Sequence, residues 1–148
     1  MASWTEDLLV GLAEYLAAHT PGVWKPNGGY SASEAAIVLG WSPPELDQLI
    51  ILTPYQPGPD DSGTDTVQHV QVKCRGAADG GLASVLALRD PVLDALHGLA
   101  WVHIGGVRIQ QIRHQSGVEL PGVDQSNRHE TTDNYRAQAV RMSAYRTE

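Results

Sequence analysis

Residues 66–99 read TVQHVQVKCRGAADGGLASVLALRDPVLDALHGL, and the period of their apolar positions changes partway along. Val70, Val72 and Cys74 alternate with Gln71, Lys73 and Arg75. A period of two marks a strand with one buried and one wet face. Small residues and two adjacent glycines break the pattern over 76–81. Beyond them Leu82, Val85, Leu86, Val92, Leu93, Leu96 and Leu99 recur at helical spacing. Asp90 before Pro91 has the form of an N-cap with proline at the first helical position, which predicts two helical pieces meeting near Arg89 and Asp90. His97 and Gly98 suit the C-terminal end. A one-faced strand joined to a one-striped helix buries neither surface alone, so the pair requires further layers of an α/β type.

A chain of 148 residues fits one domain. A domain of that size buries roughly 70% of its unfolded surface and folds without staples. The expected organisation is therefore a single domain over 1–148. The one cysteine, Cys74, leaves no internal disulfide and sits on the apolar side of its strand, where packing rather than thiol reactivity is expected. The opening MASWTEDLL has no basic region and no long apolar run, so neither a secretion signal nor a membrane span is expected.

The net charge of -7 argues against a protein built to grip nucleic acid. The charge is also lopsided. Lys25 is the only base before Lys73, amid acids that include Glu6, Asp7, Glu14, Glu34, Glu45, Asp47, Asp60, Asp61 and Asp65. From Arg108 on, the bases are Arg108, Arg113, Arg128, Arg136, Arg141 and Arg146. These are either two solvated faces of one domain or complementary patches that join copies head to tail. For the second reading the candidate subunit-interface residues are Arg108, Arg128, Arg136 and Arg141, with Glu45, Asp60 and Asp61 opposite them.

Along the chain, Ser3 and Glu6 have the spacing of a capping box. Trp4, Leu8, Leu12, Tyr15, Leu16 and His19 then trace one face of a helix that Thr20-Pro21-Gly22 ends. Its other face carries acids and no lysine or arginine, which argues against a membrane-lying helix. Trp24 stands alone in the turn-rich stretch 22–29 and reads as a plug on the core, with an exposed contact as the alternative. The apolar run 35–39 fits a strand or one helical turn, and the unbroken run 49–52 a strand buried on both faces. Gln56, Pro57, Gly58, Pro59, Asp60, Asp61, Ser62, Gly63, Thr64 and Asp65 have no apolar anchor. They predict a long mobile loop, either a solvated tip or a segment that orders against a partner. Residues 101–104, Gly105-Gly106 and 107–113 read as strand, tight turn and longer strand. A slip of phase between Ile109 and Ile112 predicts a bulge or twist. Residues 117–127 read as a loop. Residues 135–145 fit either period: Tyr135, Ala137 and Ala139 alternate, while Tyr135, Ala139 and Met142 suit a helix.

No HExxH, CxxC, phosphate loop or G-x-S-x-G occurs. His103, His114 and His129 fall on different elements and do not read as a metal trio. Asp79 and Asp124 are the acids that, with a histidine, would serve a small enzyme or ligand-binding domain; a polar turn residue is the ordinary reading of such positions. The aromatics do not alternate with bases as a single-strand stacking platform would. No catalytic residue, metal ligand or cofactor is expected.

The order of these pieces resembles the tail terminator, or minor-capsid-like, proteins of long-tailed bacteriophages. An amphipathic N-terminal helix leads to a turn region over 24–30, an apolar patch over 37–40 and the strand LDQLIILTPY. VQVKCRG then precedes the helix ending DALHG; strands follow around Gly105-Gly106-Val107 and 110–113, and GVDQSNRHETTDNYRAQAVR closes the chain. DPVLDALHG and ETTDNY are the best pieces, and the resemblance covers most of the chain. Pro91 within the helix departs from the pattern. The resemblance implies an α+β fold, an antiparallel or mixed β-sheet flanked by an N-terminal helix and a central helix, and it makes the C-terminal stretch a strand. It also implies a structural virion protein rather than an enzyme. This would be a hexameric ring that caps the tail tube and joins it to the head connector, at the head–tail junction of a virion assembled in the host cytoplasm. Its partners would be further copies of itself, the tail tube protein and a connector or neck protein, with no membrane. DNA would pass through an acidic lumen without specific binding. A neck or head-completion protein is the alternative within the virion.

Overall fold

Two helices cover one face of an eight-stranded sheet in the computed structural model, which describes residues 2–58, 63–117 and 122–146. In chain order the elements are α1 (Trp4–His19), β1 (Gly22–Val23), β2 (Ala35–Leu39), β3 (Leu49–Tyr55), β4 (Asp65–Arg75), α2 (Gly81–Leu96), β5 (Ala100–Ile104), β6 (Val107–Gly117), β7 (Gly122–Val123) and β8 (His129–Val140). Across the sheet the strands run β1-β2-β3-β4-β8-β6-β5, with β7 on β8. β1, β2 and β3 are parallel and every other pairing is antiparallel. The mixed sheet with an N-terminal and a central helix is the expected α+β class.

Alternation decides which face meets the helices. Val70, Val72 and Cys74 of β4, Tyr135, Ala137 and Ala139 of β8, and Ile109 and Ile112 of β6 are buried beneath them. Leu8, Leu12 and Leu16 of α1 and Val85, Leu88, Val92 and Leu96 of α2 close the same core. α1 begins as expected: the Glu6 amide donates to Ser3 Oγ at 3.1 Å. Trp24 packs on this core as a plug. The run 35–39 is a strand, and β3 is buried on both faces through Leu52. The slip between Ile109 and Ile112 is a bulge, seen as a register shift against β8 between Ile109 and Gln111.

Several expectations need correction. α2 is one helix running through Pro91, not two pieces meeting at Arg89 and Asp90. Asp90 is an exposed helical residue rather than a cap. Proline removes one helical donor, but Val85, Leu88, Val92 and Leu96 keep one buried stripe on both sides of it, so packing on the sheet carries the helix across. Leu82, read as part of that stripe, lies outside the core and is 43% exposed. The segment 56–65 is not a loop throughout: Asp65 opens β4 opposite Val140, and the Thr64 carbonyl accepts from the Arg141 amide at 2.7 Å. Gln56, Pro57 and Gly58 are exposed, Gly63 and Thr64 are half-buried, and Pro59, Asp60, Asp61 and Ser62 lie outside the described residues. Finally, 117–127 contains β7, whose Gly122 and Val123 pair with Glu130 and His129. The two-way reading of 135–145 resolves as strand through Val140, because β8 lies between β4 and β6 and receives a ladder on each side.

Candidate assembly surfaces

The sheet presents three surfaces that the helices leave uncovered: its two outer edges and the face opposite the helices. At the β1–β2 edge, two parallel strands are joined to β3 by a return segment, 40–48, that contains no helix. An irregular crossing leaves carbonyls without ladder partners, and such groups must be met elsewhere when buried. Arg75 and Arg128 meet them. Arg75 donates to Asp47 O at 2.8 Å, Pro43 O at 3.0 Å, Ser42 Oγ at 3.3 Å and Leu46 O. Arg128 donates to Leu46 O at 2.8 Å and Pro44 O at 3.2 Å, and through Nε to Asp124 Oδ2 at 2.8 Å. Burial, and then the facing Arg128, lower the pKa of Arg75. Arg128 was a candidate interface base, but it is 7% exposed and its guanidinium is engaged by its own chain. Arg75, expected on the wet face, is roofed by the segment it holds.

The clamped segment forms one wall of an apolar groove. Trp41, Pro43, Glu45 and Leu46, together with Trp24, Pro26 and Tyr30, line a volume of about 530 Å³. Tyr30 is fixed there by its hydroxyl, which donates to Ile37 O at 2.9 Å. Lys25 also lines the groove and bonds Glu34 at 2.8 Å, an interaction that holds the Glu34 carboxyl below its usual range. Glu45 is exposed and has no base within bonding distance among the described residues.

At the opposite edge, β5 and β6 form a hairpin whose Gly105-Gly106 turn has φ of +59° and +77°. Trp101 in β5 is 75% exposed with φ +56°. Positive φ in a bulky residue is a genuine outlier, with a cost of order 1–3 kcal/mol. Arg108, opposite His103 on this hairpin, is exposed.

The uncovered face is basic although the chain is acidic. The ladders place His69 beside Arg136 and Arg136 beside Arg113, all on this face. Like charges directly opposite each other are unfavourable. Among the described residues no carboxylate pairs with Arg108, Arg113, Arg136 or Arg141. Burial, and then Arg136, lower the pKa of His69. Arg141 lies apart from this row, with its guanidinium 5.2 Å from the Trp4 ring centroid. Of the expected interface set, then, Arg108 is exposed, Arg136 is half-buried, Arg141 is stacked on Trp4, and Asp60 and Asp61 lie outside the described residues.

The acids offered for an enzyme reading are turn residues. Asp79 accepts from Asn127 Nδ2 at 2.9 Å, and Asp124 accepts from the Ser126 and Arg128 amides at 3.0 and 2.9 Å. The histidine–carboxylate contact that does form is one the sequence reading missed. Asp133 on β8 receives Arg89 Nε at 3.1 Å and Nη2 at 3.0 Å, and His114 Nε2 lies 2.8 Å from its Oδ1. This network ties α2 to β8 and β6. The nearby Cys74 thiol is pushed up to about 12, first by burial and then by Asp133, so it is protonated at neutral pH. His103, His114 and His129 stand on β5, β6 and β8.

No family model matches this sequence, and no curated protein matches it. Among solved structures, the chain is similar to a chain of the virion of a native gene transfer agent (GTA) particle, at 17% identity and a TM-score of 0.57. The similarity covers 90% of this chain and 94% of that one, and it is a likeness of fold.

Proposed function

We propose that this chain is a structural virion protein of the tail terminator kind, a non-enzymatic ring that caps a phage-like tail tube and joins it to the head connector. The observation that carries the reading is a fold shared along almost the whole chain with a virion component, in a sequence whose order of elements already resembles that family. The unlike sheet edges support it, because closed rings need two different patches on each subunit. So do the arginines left without carboxylate partners, which suit a neighbour carrying the acids of the N-terminal half. Further copies, the tail tube protein and a connector protein are the partners in this reading, and the head–tail junction is its location.

Electron microscopy of the purified chain mixed with its tail tube protein tests this. Rings seated on one end of each tube are the expected result. Binding to head connectors without any affinity for tube ends would favour a neck or head-completion protein instead. No ring and no binding to either partner would overturn the reading.

A further inference from the structure

We propose that Trp101 of one copy docks into the Trp24–Tyr30–Trp41 groove of the next, a contact that rests on the ring-forming reading and specifies how the ring is joined. Trp101 is held out from edge strand β5 in a left-handed backbone conformation, 75% exposed. Among the described residues it has no ring or cation partner. Strained residues persist where the surroundings fix them, and they concentrate at functional positions. The groove lies at the far edge of the same sheet, beside β2, and the two edges are separated by β3, β4, β8 and β6. Trp101 is not among the residues that line its own chain's groove and stands exposed outside it, whereas a copy placed edge to edge can seat it there.

The occupant is a second copy on grounds of charge as well as shape. Glu45 at the groove is exposed and unpaired among the described residues. Arg108, on the hairpin that carries Trp101, is exposed and equally without a carboxylate. Docking the indole brings these opposite charges to one junction. The groove is aromatic-lined and of a size to admit an indole ring. Tryptophan, tyrosine and arginine are the residue types that dominate interface energetics. The contact is heterologous, so it repeats around a ring when the rotation closes. The buried Arg75 and Arg128 act here as positioning residues: they hold the wall that carries Trp41 and Glu45.

Sedimentation velocity of the wild type, Trp101→Gly, Trp41→Glu and a one-to-one mixture of the two variants tests the contact. Trp101→Gly removes the knob while giving the backbone a residue that adopts positive φ without strain, so its melting temperature should be unchanged or higher. Trp41 is 61% exposed, so its replacement spoils the groove and spares the core. Each variant alone should self-associate about thirty-fold more weakly or worse than wild type. The mixture should form a dimer and nothing larger, because one intact knob meets one intact groove. Association of Trp101→Gly at the wild-type level, a mixture without dimers, or a wild type that stays monomeric would each overturn the contact. Rings of Trp101→Gly on tail tubes would overturn it and leave the tail terminator reading standing. Self-association through Trp101 in a chain that never binds tube ends would do the reverse.

Discussion

Asp133 illustrates what burial demands of a charge. Its side chain is 4% exposed, and Arg89, at 26%, meets both carboxylate oxygens. Removing one partner of a buried pair leaves an uncompensated charge and costs about 3–5 kcal/mol. His114 Nε2 still meets Oδ1 at 2.8 Å after Arg89→Met, so the loss by urea denaturation should fall at or below the low end of that range, and adding Asp133→Leu should recover part of it. A loss of about 0–1 kcal/mol, the value of an exposed pair, would mean that packing alone anchors α2. His69 offers a second test. Burial and then Arg136 favour its neutral form, so its folded pKa lies below the ordinary 6.5. The unfolded chain then binds the extra proton first, and the stability present above the unfolded value is lost as pH falls toward the folded one. Melting temperature should drop on acidification from about pH 7.5 to 5.5, and Arg136→Gln should reduce the drop by removing the second cause. At this scale Cys74 was legible from alternation alone. Arg75 and Arg128 were not, because their partners are backbone carbonyls of a distant segment, which no side-chain pattern advertises.

Elements meet at contacts that tolerate no added atom. A Cβ built on Gly11 of α1 would lie 2.3 Å from the Gly105 amide nitrogen, and one on Gly105 would lie 2.0 Å from Asp7 O. Within a helix, glycine to alanine ordinarily gains about 1 kcal/mol. Here both colliding partners are backbone, so the sign should reverse: Gly11→Ala should destabilise by about 1–3 kcal/mol, the usual penalty of overpacking. Gly106→Ala, with open space around it, bears only the strain of positive φ. Equal melting temperatures for Gly11→Ala and wild type would mean that α1 can slide off the hairpin. Val72, 1% exposed beneath the helices, gives the matching test for the sheet. Val72→Asp should cost several kcal/mol against a total of roughly 5–15 and leave the chain insoluble or unfolded, whereas Gln71→Asp on the uncovered face should fold. Strands with alternation or unbroken apolar runs, the Ser3 cap and the bulge in β6 were all readable, since each is a local pattern. The unity of α2 was not readable, because local proline chemistry was outweighed by a stripe whose value depends on the sheet beneath. Nor was the Gly11–Gly105 crossing, where two ordinary glycines acquire meaning only through their approach in space.

At the scale of the whole molecule, the uncovered face sets monomer stability against assembly. Arg113 and Arg136 are direct ladder partners, His69 flanks Arg136, and no carboxylate among the described residues neutralises the row. A monomer left to optimise itself would place an acid there. Arg136→Glu should therefore stabilise the isolated domain by about 0.2–1 kcal/mol, the scale of a cross-strand charge pair. If the row instead receives acids of a neighbouring copy, the same change should weaken assembly. The expected result is thus two effects of opposite sign from one substitution, a higher melting temperature and a smaller ring population. Added salt should act as the substitution does, because exposed charges more than about 8–10 Å apart are screened near physiological ionic strength. These pairs steer and set register rather than hold the ring together; an apolar contact must supply the rest of the affinity. Arg136 is the better probe than Arg141, whose reversal would also remove the guanidinium from the Trp4 ring and confuse packing with charge. Sedimentation velocity at low and high salt, with thermal melts on the same samples, separates the outcomes. A stabilised monomer whose ring population is unchanged in both salts would mean that the arginine row meets no acidic neighbour, and that the lopsided charge of the chain is a matter of its solvated faces alone.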